Sequence, residues 1–276
     1  MSTSLKDKVA IITGSSRGIG FAIAKRLAAD GVKVVIASKT TEPHPKLPGT
    51  IYDAADEIKK LGGDALPLVL DVRDELQIEK VVADTVAHFG GIDILVNNAS
   101  AIYLANTEST PPKKFDLIHQ INVRGTYLMS RACIPYLKKS SHAHIISLSP
   151  PLNMNPIWFE NHTAYTLSKY GMSMIALGLA AELKPYRIGV NTIWPRTLIA
   201  TSAVKNLLGG DELMRQSRWP SIVADAVAEI ISKDPGQVTG QFFIDEEVLK
   251  EAGITDFEKY AVDPQSNLAP DLFIEL

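Results

Sequence analysis

Short runs of consecutive apolar residues alternate along this chain with longer stretches whose apolar positions recur every three to four residues. Residues 9–12, 32–37, 65–70, 92–96, 144–148, 189–194 and 241–244 are of the first kind and predict strands. Residues 19–29, 52–61, 76–89, 115–137, 164–183 and 222–232 are of the second kind and predict helices. Gly31, Gly62-Gly63 and Gly90-Gly91 follow three of these helices, where a left-handed residue ends the hydrogen-bonded spiral. A strand that is apolar throughout is buried on both faces, which requires parallel neighbours covered by helices. Strand–helix alternation with right-handed crossovers then gives an α/β fold, a doubly wound parallel seven-stranded sheet in one domain. We expect that domain to span residues 1–245, with residues 246–276 as a tail packed on it. Two segments break the pattern: residues 41–49, where Pro43, Pro45 and Pro48 predict a rigid loop, and the tail, interrupted by Pro264 and Pro270.

Composition narrows the function. Of 276 residues, 46% are hydrophobic and 21% charged, and 28 lysines and arginines face 31 aspartates and glutamates. There is no basic excess to neutralise a phosphate backbone, so a nucleic-acid partner is not expected. Cys133 is the only cysteine, which excludes an intramolecular disulfide. No apolar run approaches the ~18 residues of a membrane span, and the polar first eight residues contain no signal-peptide core. The last three residues, Ile274-Glu275-Leu276, form neither a peroxisomal address nor a prenylation box. The expected location is therefore cytoplasmic.

Thr13-Gly14-Ser15-Ser16-Arg17-Gly18-Ile19-Gly20 lies between the first strand and the first helix. Glycines at such a place let the backbone approach a pyrophosphate, which rests on the helix N-terminal amides. A glycine cluster alone is weak evidence, but a buried strand before it and an amphipathic helix after it make a nucleotide cofactor the expected ligand. The second strand ends Ala37-Ser38-Lys39-Thr40, without the carboxylate that would hold a ribose 2′-hydroxyl. Lys39 and Arg17 are cations suited to a 2′-phosphate, so the expected cofactor is NADP. The alternative is that Lys39 is a solvated loop lysine.

Tyr165 and Lys169 are four residues apart in a predicted helix and share a face. A carbonyl group that receives a hydride at its carbon must also receive a proton at its oxygen. A free phenol has a pKa near ~10, and a neighbouring ammonium lowers it toward the working range. The alternative is an ordinary surface pair worth a few tenths of a kcal/mol. The pair follows the fifth strand, at the sheet edge where ligands of open α/β folds bind.

The glycine turn, Asn97-Asn98-Ala99 after the fourth strand, Asn122 and the Tyr165/Lys169 pair together resemble the short-chain dehydrogenase/reductase family, over residues 5–245. Residues 38–47 and 149–156 carry a closer resemblance to one subgroup, whose animal members have a further sterol-carrier-like domain that these residues do not include. The family resemblance implies a Rossmann-type fold and specific roles. Gly14, Ser16, Arg17, Gly18, Ile19, Gly20 and Lys39 would bind the cofactor, with Asp71 and Val72 at the adenine, Asn98 at a ribose, and Pro195. Tyr165 would move the proton and Lys169 would tune it and hold the nicotinamide ribose. Ser149 would bond the substrate oxygen, and Asn122 would hold a water linking Lys169 to solvent. Three positions depart from the family pattern: Ser100 where glycine is usual, Arg196 where glycine follows Pro195, and Ser149, which precedes Tyr165 by 16 residues. Ser147 competes with Ser149, but Ser149 lies beyond the strand end.

Other residues leave alternatives open. His142 and His144 could begin a metal site, but no third ligand stands at motif spacing, and no metal is expected. His162 could touch substrate or cap the helix. Trp158 and Phe159 could wall an apolar pocket or pack their own loop. Arg196 could meet an acidic substrate or solvent. Cys133 reads as a small buried hydrophobe. The primary expectation is hydride transfer to or from a small lipophilic alcohol or carbonyl compound, in a homodimer or homotetramer assembled through the two long central helices. The alternatives are a 3-oxoacyl thioester reductase, with Arg196, Arg215 or Arg218 at the pocket mouth, and a non-catalytic NADP-binding sensor or scaffold.

Overall fold

The computed structural model describes residues 4–44, 47 and 49–275. Pro45, Lys46 and Pro48 of the proline-rich loop lie outside the described residues. Seven strands form one parallel sheet: β1 (Val9–Thr13), β2 (Lys33–Ser38), β3 (Ala65–Val69), β4 (Ile94–Asn97), β5 (His144–Leu148), β6 (Gly189–Trp194) and β7 (Phe242–Ile244). Their spatial order is β3-β2-β1-β4-β5-β6-β7. Chain direction of winding reverses between β1 and β4, which leaves a crevice at the C-terminal ends of those strands.

The helices are α1 (Gly18–Ala29), α2 (Ile51–Lys60), α3 (Glu75–Phe89), α4 (Pro112–Ile118), α5 (Gly125–Leu137), α6 (Thr163–Leu183), α7 (Gly210–Arg215), α8 (Ser221–Ile231) and α9 (Asp245–Glu251). Alternate residues of each strand feed two cores. Ile12, Ile36, Val96, Ile146 and Ile193 pack toward α1, α2 and α8, together with Val248 and Leu249 of α9. Ile11, Val35, Leu95, Ile145 and Val190 pack on the other face, toward α3, α5 and α6. This two-sided burial is the physical reason for the uninterrupted apolar strands.

The helix expected over residues 115–137 is broken. A π-helical turn, His119–Arg124, separates α4 from α5 and contains the buried Asn122. The helices α7 and α9 were not expected. The chain after α9 returns across the C-terminal edge of the sheet: Leu198 N–H donates to the Ala269 carbonyl (3.0 Å) and Asp271 N–H to the Arg196 carbonyl (3.1 Å).

Candidate active site

Thr13 closes β1 and ties the crevice together. Its hydroxyl accepts from the N–H groups of Asn98 and Ala99, each at 3.0 Å, and donates to the Val96 carbonyl at 3.3 Å. Asn98 Nδ2 in turn donates to the carbonyls of Thr13 (2.9 Å) and Gly14 (3.1 Å). Gly14 has φ +67°, and a Cβ there would stand 2.9 Å from Ala99 Cα. A Cβ at Gly20 would stand 2.7 Å from the Gly14 carbonyl oxygen. Only glycine fits at these two positions. Arg17, the N-cap of α1, gives that helix no side-chain cap hydrogen bond. A turn with glycine at positions 14, 18 and 20, leading into a helix N-terminus, fits a dinucleotide pyrophosphate.

Around the turn, Ser15 Oγ donates to the Ile12 carbonyl (2.7 Å) and accepts from Ala37 N–H (3.1 Å), joining β1 to β2. Ser16 Oγ lies 3.4 Å from Ser38 Oγ. Arg17 Nη2 donates to the Gly49 carbonyl at 2.8 Å, which fastens the end of the proline-rich loop to the phosphate turn. Lys39 follows β2 and is exposed. Asp71, after β3, is paired with Arg73 at 2.5 Å, and that hydrogen-bonded guanidinium holds its carboxyl below the usual range, with Lys39 adding to the effect. Val72 is buried against Gly125 of α5.

At the C-terminal end of β5, Ser149 stands one residue beyond the strand, fully buried, and its Oγ has no hydrogen-bond partner among the described residues. Lys169 Nζ donates to the Leu148 carbonyl (2.9 Å) and lies 5.1 Å from the centre of the Trp194 ring at the end of β6. Tyr165, one turn earlier on α6, is 5% exposed. Pro195, after β6, is buried. The structure thus brings Ser149 and Lys169 to the C-terminal end of β5, with Tyr165 one helical turn before Lys169 on α6.

Asn122 braces this arrangement. Its Oδ1 accepts from Ala101 N–H (2.8 Å) and Ser100 Oγ (3.2 Å), and its Nδ2 donates to the Ala101 carbonyl (3.0 Å) and Ser168 Oγ (2.9 Å). The amide is fully used within the protein, so the expected role of holding a water toward Lys169 does not fall to this side chain. The same bonds explain Ser100: where the family pattern has glycine, its hydroxyl adds a tie to Asn122.

Electrostatically, the site differs from the expectation of a phenol lowered by its lysine. Burial, and then the Asp271 carboxyl, push the Tyr165 phenol above its ordinary value. Burial pulls Lys169 down to about 7, against the opposing pull of Asp271. The cause is the returning chain. Phe273 is buried and stacks near Tyr165 (ring centres 6.4 Å apart, planes 27° apart), and Trp194 Nε1 donates to the Leu272 carbonyl at 2.8 Å. No spacing or motif announces Asp271 or Phe273. Only the fold carries them to Tyr165.

Trp158 and His162 both lie beside Phe273, and Phe159 packs edge-on to Tyr170. The three arginines considered for an acidic substrate are engaged elsewhere. Arg196 pairs with Glu247 (3.0 Å) and Glu246 (3.4 Å), Arg218 with Glu246 (2.5 Å), and Arg215 with Glu212. His142 Nε2 lies 2.6 Å from the Ile231 carbonyl oxygen, and among the described residues no group of three or more His, Cys, Asp or Glu is placed to hold a metal. Cys133 is buried, its thiol pushed up to about 12. Among the described residues no helix is long and apolar enough to cross a membrane.

Residues 8–210 match the family model of short chain dehydrogenases. The chain is 61% identical over 264 residues to hydroxysteroid dehydrogenase-like protein 2 of Xenopus tropicalis, a match covering 96% of this chain and 63% of that one. It therefore spans less than two thirds of the length of the curated relatives it matches. That relationship bears out the closer resemblance carried by residues 38–47 and 149–156. Among solved structures, the chain is similar to a short chain dehydrogenase from Mycobacterium thermoresistibile, with a TM-score of 0.93, 52% identity, and 99% and 96% of the two chains covered. It is also similar to a metagenomic short-chain oxidoreductase in complex with NADP, with a TM-score of 0.72, 27% identity, and 88% and 98% covered.

Proposed function

The chain belongs to the short-chain dehydrogenase/reductase family, and from that premise we propose that it is an NADP(H)-dependent oxidoreductase acting on a lipophilic alcohol or carbonyl compound. The observation that carries this reading is the placement of Ser149 and Lys169 at the end of β5, with Tyr165 one turn before Lys169 on α6 and only β4 between β5 and the glycine cradle of β1. A bound nicotinamide dinucleotide supplies or accepts the hydride. The phenol of Tyr165 gives a proton to the carbonyl oxygen in reduction and takes it back in oxidation. Ser149 Oγ, buried and unpartnered, is poised to donate to the same oxygen as it gains charge. Lys169 contributes a positive charge one turn away, which favours the phenolate once the phenol is open to it. Asn122 ties Ser100 and Ala101 to Ser168 of α6.

The preference for NADP over NAD rests on Arg17 and Lys39, and the NADP-bound relative lends it support. The lipophilic substrate rests on the aromatic wall of Trp158, Tyr170 and Trp194. Exposed Tyr127 on α5, with Leu167, Met174 and Leu177 on α6, supports self-association through these helices. No observation favours a thioester reductase, since the arginines it needs are paired, nor a sensor, since no catalytic group has been lost.

Absorbance of the reduced nicotinamide tests the reading, with NADPH and NADP+ offered to steroid, terpenoid and acyl-thioester panels. We expect turnover with ring-bearing or long-chain ketones and alcohols, and no turnover on any panel would overturn the enzyme assignment. Replacing Arg17 and Lys39 by alanine should raise the KM for NADPH far more than that for NADH. Equal effects on both would overturn the cofactor assignment.

A further inference from the structure

We infer that Phe273 is a specificity-determining residue, whose ring stands where the apolar body of the substrate lies, so that residues 269–275 form a gate that must swing aside for turnover. The inference rests on Tyr165 being the proton-transfer group. Its support lies in what surrounds that phenol. The Phe273 ring sits 5.4–6.4 Å, centre to centre, from five other rings: Trp158, His162, Tyr165, Tyr170 and Trp194. Those rings belong to the loop before α6, to α6 itself and to the end of β6, so they form a box and Phe273 fills it. With the box filled, Tyr165 and Ser149 are both buried from solvent.

The attachment of this segment suits a gate. It forms no helix and no regular strand. It is held by separate hydrogen bonds: Leu198 N–H to Ala269 O, Asp271 N–H to Arg196 O, Trp194 Nε1 to Leu272 O, and Asn153 Nδ2 to Glu275 Oε1 (2.7 Å). Phe273 itself has φ +70°, a left-handed conformation that a bulky side chain adopts under strain and that packing must hold. Release of the ring relieves that strain. The same movement takes the Asp271 carboxyl away from Tyr165 and Lys169, and so lifts the influence that pushes the phenol upward. A box lined by flat rings and vacated by a phenyl ring takes a substrate of matching chemistry. That class is a ketone or secondary alcohol borne on an aromatic or comparably broad ring system, in preference to a short aliphatic aldehyde.

Two perturbations test this. Phe273→Ala and the milder Phe273→Leu empty the box in part. In the double variant Asn153→Cys with Glu275→Cys, a disulfide formed by oxidation fastens the gate reversibly. The native Cys133 is fully buried and stands apart from this chemistry. The probes are 2-acetylnaphthalene and hexanal, read by NADPH oxidation, with a separate calorimetric titration of 2-acetylnaphthalene into the NADP+-saturated protein. A gate that is closed about nine-tenths of the time weakens apparent binding about tenfold. Phe273→Ala should therefore tighten 2-acetylnaphthalene about tenfold in both KM and Kd, and raise its kcat/KM relative to that of hexanal, with Phe273→Leu between. The oxidised double variant should neither bind nor reduce 2-acetylnaphthalene, and reductant should restore both. Weaker binding in Phe273→Ala, or undiminished binding in the oxidised double variant, overturns the inference. Tighter binding in Phe273→Ala without turnover in any form leaves the gate standing and overturns the enzymatic reading instead.

Discussion

Asn122→Ala separates bracing from chemistry, and the structure sets its size. The substitution removes four hydrogen bonds made by one fully buried amide. The bond from Ser100 counts little, because Ser100 is exposed and water replaces it. The other three reach the part-buried backbone of Ala101 and the buried Ser168 hydroxyl. At about 1 kcal/mol net for each, the loss is about 3 kcal/mol. For a chain of this size, a loss of that order lowers Tm by about 6–10 °C. Asn122→Asp should fall in the same direction, because it keeps the two acceptor bonds but loses both donors and buries a charge. The assays are urea unfolding and a thermal scan, with NADPH affinity measured on the same samples. Cofactor affinity should change little, since the ties of Asn98 to Thr13 and Gly14 remain. A Tm shift under about 2 °C would refute the reasoning, as would a loss of NADPH affinity equal to the loss in kcat.

Two further predictions concern pH. Burial lowers Lys169 from 10.5 to about 7, so between those values the unfolded chain holds a proton that the folded chain lacks, and stability rises with pH through that window. Lys169→Met removes the slope: its stability relative to the unsubstituted protein should be more favourable at pH 7 than at pH 10 in urea unfolding, and a pH-independent difference contradicts it. Asp271 runs the other way. Burial, with Asp245 beside it, raises Asp271 from 3.8 to about 7, so the folded chain holds the extra proton and stability falls as pH rises through that window. Asp271→Asn should gain on the unsubstituted protein as pH rises from about 4 to 7, measured by Tm. An equal Tm difference at both ends refutes the assignment.

The sheet was legible because strands buried on both faces are written as apolar runs, and the glycine turn because only glycine tolerates the approach of Ala99 and of the Gly14 carbonyl. Tyr165 and Lys169 were legible because helical spacing puts them on one face. The π-helical turn at Asn122 was not, since an apolar period hardly changes when one residue is inserted into a helix. The helix α9 begins Asp245-Glu246-Glu247, which reads as a polar loop. Asp245 and Glu246 are nonetheless buried, because they receive Arg196 N–H and the Arg218 guanidinium. The Arg196 side chain is turned away from the site by Glu246 and Glu247 of the same helix. Phe273 and Asp271 lie more than a hundred residues from Tyr165 along the chain. Nothing local encodes their meeting, which depends on where the sheet edge leaves a path for the returning segment.

In the proposed reaction the Tyr165 hydroxyl moves the proton that accompanies hydride transfer. Its most direct measurement is NADPH oxidation by Tyr165→Phe with the best ketone found, beside NADPH affinity measured by fluorescence titration. Unchanged affinity is expected, with a rate lower by about 10²–10⁴-fold, the contribution of a positioned general acid. Oxidation of NADPH at the unsubstituted rate by Tyr165→Phe would contradict it.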